Sequence, residues 1–222
     1  MQKAEKLYPG NYYHIYNRGN NRGKIFFEKN NYSYFLQLYI KYIEPIADTF
    51  AYCLNINHFH FLVRIKELTT KTSEVSKTSE VLRSLPNDEK TSEVSETSEV
   101  CGSYSQPFSN LFNAYAKAIN KRYHRTGSLF QSRFGRKRIT NEAHLVQVVR
   151  YIHFNPQKHG LVDDFRGYPF SSFPAFRSTQ ASHLKRNEVI EWFCGLEQFD
   201  EFHSSLEFQD TELIDDIFEE DI

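Results

Sequence analysis

Four side chains in this sequence have the types and the spacing that chemistry needs. His58 and His60 stand one residue apart in the apolar stretch AYCLNINHFHFLVRI, and Tyr151 and Asn155 stand four apart in a stretch with helical periodicity. In an extended strand side chains alternate between faces, so His58 and His60 point one way while Phe59 and Phe61 point the other, into a core. Two neutral imidazoles so placed can chelate one cation. A four-residue step in a helix brings Tyr151 and Asn155 onto one surface, where the Asn155 amide oxygen could complete a coordination sphere begun by the histidines. Together they would make a metal-assisted site with a tyrosine nucleophile for phosphodiesters. The cation neutralises charge that builds up on a phosphate already shielded by its own charge, and the phenol, with an ordinary pKa of about 10, must lose its proton before or during attack. Each half also has a plainer reading: two half-exposed histidines on a sheet, and an ordinary half-buried tyrosine with Asn155 as a helix cap. The chain has fourteen tyrosines, so spacing alone does not single out Tyr151.

The elements that must position these groups are legible in outline. Dense apolar and aromatic residues without Gly or Pro over 51–65 predict two short strands meeting near Asn55 to Asn57. From Asn141 to Asn155, Leu145, Val148, Val149 and Ile152 recur as a buried helical stripe, Thr140 or Asn141 offers an N-cap, and Pro156 is expected to stop the helix. His144 and Gln147 fall on the same flank as Tyr151 and are candidates for proton or water assistance. A strand near 11–17, helices near 30–44 and 108–124 and a strand over 133–140 complete the order strand, helix, strand, strand, helix, strand. That order is the split βαβ, ferredoxin-like arrangement with an antiparallel sheet, an α+β fold, followed by the helix that carries Tyr151. Leu161 to Phe176 should pack back on the core, and Glu188 to Phe202 reads as a helical extension.

Net charge is −1, which taken alone argues against a nucleic-acid partner, but its distribution argues for one. Residues 1–66 hold nine Lys or Arg against four Asp or Glu, and 105–160 hold ten against one; 67–104 hold four against eight, and 161–222 four against fifteen. The basic excess lies with the candidate site, which is the electrostatic footprint of a phosphate backbone. Aromatics interleave with cations through Lys121, Arg122, Arg125, Phe130, Arg133, Arg136, Lys137 and Arg138, a pattern suited to stacking and clamping single strands or unpaired bases. Arg18, Arg22 and Lys24 in the Gly-bounded run NRGNNRGK form a second candidate, a loop over phosphate.

Five ordered blocks then carry a resemblance: YHIYNRGNNRGKIFFE from Tyr13, AYCLNINHFHFLV from Ala51, RTGSLFQSRF from Arg125, RYIHFNPQKHGLV from Arg150 and YPFSSF from Tyr168. In order and spacing the sequence resembles the REP-associated tyrosine transposases, single-tyrosine members of the HUH nuclease and transposase superfamily. The resemblance implies that His58 and His60 are the metal-binding pair, Tyr151 the nucleophile and Asn155 the polar residue one turn later that assists the metal. It also implies a substrate, single-stranded or hairpin DNA folded from imperfect palindromes beside a short guide sequence, and a phosphotyrosine on the 5′ side with a free 3′ hydroxyl. Two departures are visible, NIN before the histidine pair where MPN is common and PQKHG where PVRAG is more usual; neither removes a catalytic group. Magnesium prefers oxygen ligands, so manganese is at least as comfortable with imidazoles, and either Mg2+ or Mn2+ is expected to serve. Two other classes use the same features: a catalytically silent DNA-binding protein, and a replication initiator or relaxase, which runs to a longer chain with partner domains.

At 222 residues the chain can bury one good core, so 1–66 and 105–176 read as two halves of one catalytic domain. Between them, 67–104 repeats KTSEV three times and ETSEV once without any apolar face, the pattern of a flexible insertion; 177–222 is the helical extension with an acidic tail. Cys53, Cys101 and Cys194 are odd in number and widely spread, so no disulfide framework or zinc knuckle is indicated. No apolar run approaches membrane-span length and no signal-peptide pattern opens the sequence; a cytoplasmic, nucleoid-associated protein without membrane contact is the expectation. A monomer is favoured over a dimer that exchanges the tyrosine helix.

Overall fold

The computed structural model describes residues 5–67 and 104–205. Nearly all of the KTSEV insertion, the acidic tail beyond Ser205 and Cys101 lie outside the described residues.

Four antiparallel strands form one sheet: β1 (Tyr12–Arg18), β2 (Ala47–Leu54), β3 (His58–Ile65) and β4 (Gly135–Ile139), in the spatial order β2-β3-β1-β4. Helix α1 (Lys29–Tyr42) connects β1 to β2, and β3 inserts between them; α2 (Ser105–Arg122) leads to β4, and α3 (Glu142–Lys158) follows it. This is the split βαβ, ferredoxin-like arrangement read from the sequence. Local signals explain where the helices start. Glu28 and Asn31 form a reciprocal capping box at α1, and Asn141 caps α3 by accepting from the Ala143 N–H at 2.9 Å.

Strand alternation divides the core in two. Tyr13, Ile15, Phe59, Phe61 and Val63 face α1 and α2, where they join Phe35, Phe112 and Tyr115. On the opposite face, Ala51, Cys53 and Leu62 meet Val148, Val149 and Ile152 of α3. The C-terminal stretch completes this second core: Phe173, Val189 and Phe199 pack into it, so it is built into the layer that carries α3. The stretch expected as one helix over 188–202 is two, α4 (Arg186–Trp192) and α5 (Leu196–Ser204). They are separated where Cys194 and Gly195 take positive φ values of 61° and 133°, outside helical space.

One expected boundary is wrong. Helix α3 does not stop before Pro156 but runs through it to Lys158. Proline removes one N–H, yet the last turn is closed by the His159 N–H to Asn155 O at 3.1 Å and the Leu161 N–H to Pro156 O at 2.9 Å. Asn155 is therefore an interior helical residue, fully buried, rather than a cap.

Candidate active site

The β1–β3 register sets Arg18 opposite His58 and Tyr16 opposite His60, and alternation then puts His14, Tyr16, Arg18, His58 and His60 on the face that α3 covers. Lys137 of β4 joins them as the partner of His14. The Tyr151 ring stands edge-on to His60, with centroids 5.6 Å apart, and edge-on to His14 at 6.1 Å. One turn on, Asn155 Oδ1 lies 2.9 Å from His58 Nε2. The structure thus gathers all four residues singled out for chemistry: His58, His60, Tyr151 and Asn155.

His14 was missed in the sequence, although it alternates with Tyr16 and Arg18 in YHIYNR. Its Nε2 is 2.9 Å from His60 Nδ1, so one ring donates to the other. Asn55 was missed as well. The chain turns between β2 and β3 with the Asn55 N–H donating to His58 O at 2.8 Å, which sets the two residues side by side. The Asn55 side-chain amide donates to His58 Nε2 at 2.9 Å and contacts Asn155 Oδ1.

Electrostatics favour neutral imidazoles here. Burial pushes His14 and His58 down to about 3, His58 also being opposed by the charges of Arg18 and Lys158. His60 is held well below its ordinary value by burial and by its histidine neighbours. At neutral pH each ring keeps a lone pair. His58 Nδ1 donates to Asn57 Oδ1 at 2.7 Å, which leaves the Nε2 lone pair directed at Asn155 and Asn55. Asn155 Nδ2 is buried without a hydrogen-bond partner among the described residues. An oxygen and an imidazole nitrogen that meet at 2.9 Å, both able to offer lone pairs, fit a shared cation. Among the described residues no group of three or more His, Cys, Asp or Glu is arranged for a metal, so this is a histidine-and-amide set rather than a carboxylate cage.

Access to the site is restricted. A depression of about 40 Å3, lined by Tyr16, Arg18, His58, His60, Gln131 and Arg133, opens over the histidines. Tyr151 is 1% exposed, with Lys158 Nζ 4.8 Å from its ring centre, and His159 packs edge-on against His58 at 4.6 Å. A larger cavity of about 390 Å3 between α2 and the loop 127–134 shares Asn17 and Gln131 with the depression. His144 lies half-exposed in the first turn of α3, two turns before Tyr151, whereas Gln147 is one turn before it with a buried oxygen lacking a partner among the described residues.

The basic residues separate into groups. Arg18 and Arg133 border the depression, and Arg22 and Lys24 are exposed in the turn after β1, where Asn57 Nδ2 donates to Arg22 O at 3.3 Å. Alternation along β4 splits the run Arg136, Lys137, Arg138. Only Lys137 shares the histidine face; Arg136 lies 4.0 Å over the Phe134 ring and donates to Ser105, and Arg138 donates to Asn11 Oδ1 at 2.7 Å. Lys121 and Arg122 are exposed at the end of α2, in the opposite layer, and Arg125 sits over Phe27 at 5.4 Å. Phe130, expected as a stacking platform, is instead a core residue: it is 6% exposed and packs against Phe59, Phe112 and Tyr115.

No family model matches the sequence. Over 54 residues it is 35% identical to a Haemophilus influenzae protein named for the REP-associated tyrosine transposases; the match covers 24% of this chain and about a third, 31%, of that protein. Among solved structures, a REP-associated tyrosine transposase bound to a REP hairpin superposes with a TM-score of 0.56 at 16% identity, covering 81% of this chain and 86% of the other. No helix among the described residues is long and apolar enough to cross a membrane. In sequence over a short stretch, and in fold over most of its described length, the chain resembles the REP-associated tyrosine transposases.

Proposed function

We propose that this chain is a REP-associated tyrosine transposase that cleaves and rejoins single-stranded or hairpin DNA through Tyr151. The observation that carries the reading is the convergence on one sheet face of His58, His60, the Tyr151 ring 5.6 Å from His60, and Asn155 Oδ1 2.9 Å from His58 Nε2. The Tyr151 oxygen attacks phosphorus and gives up its proton, and the 3′ oxygen of the neighbouring nucleotide leaves and takes one up. The product is a phosphotyrosine on the 5′ side with a free 3′ hydroxyl. Because the ester is kept, the reverse attack by a 3′ hydroxyl rejoins strands without a nucleotide cofactor. Gln147 is the side chain one turn below Tyr151 that can hold a water to receive the phenolic proton. His58, His60 and Asn155 are the residues that would hold Mg2+ or Mn2+, which supplies charge neutralisation on a non-bridging phosphate oxygen. Arg18 and Arg133, which line the depression, and Lys137, which shares its sheet face, would receive the backbone phosphates.

One observation favours a second reading, DNA binding without cleavage: the phenol is enclosed, at 1% exposure. Incubation of the protein with single-stranded hairpin DNA and Mn2+ decides between them. Strand transfer gives a covalent protein–oligonucleotide band that disappears in Tyr151→Phe while binding persists. Binding with no band under either metal would leave the silent DNA-binding protein.

A further inference from the structure

We propose that Asn55 is an additional ligand of the cation site, switching its amide from donor to acceptor when the ion binds; this rests on the metal-assisted reading above. Asn55 is fully buried and fixed beside His58 by the β2–β3 turn. Its Nδ2 donates to both His58 Nε2, at 2.9 Å, and Asn155 Oδ1. Those are the two atoms whose lone pairs would hold a cation, so the polarised amide hydrogens stand where positive charge is wanted. A cation cannot share that place with an N–H donor. A half-turn about the terminal torsion exchanges Nδ2 for Oδ1 at almost the same position, since the two halves of a carboxamide are nearly equal in size.

The far side of the amide tolerates the exchange. Cys53 Sγ now donates to Asn55 Oδ1 at 3.5 Å, and a thiol serves as weak donor or weak acceptor. Burial holds the Cys53 thiol protonated, well above its ordinary range. After the half-turn the amide N–H groups face a sulfur that can accept. The site would then offer Asn55 Oδ1 and Asn155 Oδ1 beside the His58 and His60 imidazoles, a set enriched in oxygen beyond the histidine pair, which favours Mn2+ and Mg2+ over softer ions.

The test is uptake of Mn2+ by the full-length protein without DNA, followed by electron paramagnetic resonance, for wild type, Asn55→Leu, Asn55→Asp and His58→Ala. Melting of each metal-free protein verifies folding. Asn55→Leu is expected to lose affinity by about 10-fold to 100-fold, the scale seen when groups around a metal are removed. Asn55→Asp is expected to bind at least as tightly as wild type, because its carboxylate can only accept. Wild-type affinity in Asn55→Leu beside a loss in His58→Ala would overturn the assignment and leave the histidine site standing. Equal weakening in the Leu and Asp variants would also overturn it, reducing Asn55 to a packing group. Absence of Mn2+ uptake by the wild type would remove the metal reading and this proposal together.

Discussion

Acidification should loosen the layer that seats the tyrosine helix, and the size of the effect can be worked from one residue. His203 of α5 donates from Nδ1 to Phe199 O at 2.7 Å and accepts at Nε2 from His153 of α3 at 2.9 Å. His153 in turn is joined to Ser172 at 2.7 Å, and Ser172 Oγ accepts from the Tyr52 N–H of β2 at 2.9 Å, so this chain of hydrogen bonds ties β2, α3 and α5 together. Burial lowers His203 from 6.5 to about 4; the Arg150 and Arg177 guanidiniums push the same way, against the Phe199 carbonyl and Asp200. A lowered histidine pKa means that the unfolded chain binds the proton first. The stability is therefore complete above about pH 6.5 and is lost as pH falls toward 4. At pH 5 the single group costs on the order of 2 kcal/mol, from 1.36 kcal/mol per unit over about 1.5 units. That is a large part of the ~5–15 kcal/mol that holds a domain. Urea unfolding of the wild type and of His203→Phe at pH 7.5 and pH 5 measures it. The variant should start about 1–3 kcal/mol weaker, because His153 loses its acceptor, but should lose about 2 kcal/mol less than the wild type between the two pH values. Parallel losses in both proteins would refute the reasoning.

Other expectations follow from the packing. Phe130→Ala should cost about 3–5 kcal/mol in urea unfolding, because the ring is in the core, and should not act as a selective loss of DNA affinity. Arg133→Ala and Arg18→Ala should weaken DNA binding across sequences and lower the slope of log affinity against log salt by about 1 each, read by fluorescence anisotropy. Arg136→Ala, whose guanidinium lies on Phe134, should lower stability and leave that slope unchanged. Chelator should abolish the covalent band, and Mg2+ or Mn2+ should restore it; equal yield in chelator would exclude a metal-assisted step.

Much of the frame was legible because period-two and period-3.6 patterns are local. The pairing of His58 with His60 on a strand and of Tyr151 with Asn155 on a helix needed no tertiary information. What escaped was set by register. His14 reaches the site because β1 lies beside β3, and Asn55 because the turn joining β2 to β3 is short enough to set it next to His58. The cation-rich run Arg136 to Arg138 misled for the opposite reason: read as one patch, it is divided by strand alternation between two faces. Phe130 was assigned to the surface by its basic neighbours, while the hydrophobic effect placed it against Phe59 and Phe112. Pro156 was read as a stop, but a proline two residues from the end of a helix removes only one hydrogen bond.

That missing hydrogen bond concerns the last turn of α3, which carries Lys158 across the Tyr151 ring and His159 against His58. Pro156 has no N–H to give to the Ile152 carbonyl, so this turn is fastened to the rest of the helix less firmly than its neighbours are. Lys158 and His159 both lie beyond that gap in the hydrogen-bond ladder. Were the turn to loosen at that point, Lys158 and His159 would move together, and the Tyr151 ring and the His58 imidazole would lose these neighbours at the same time.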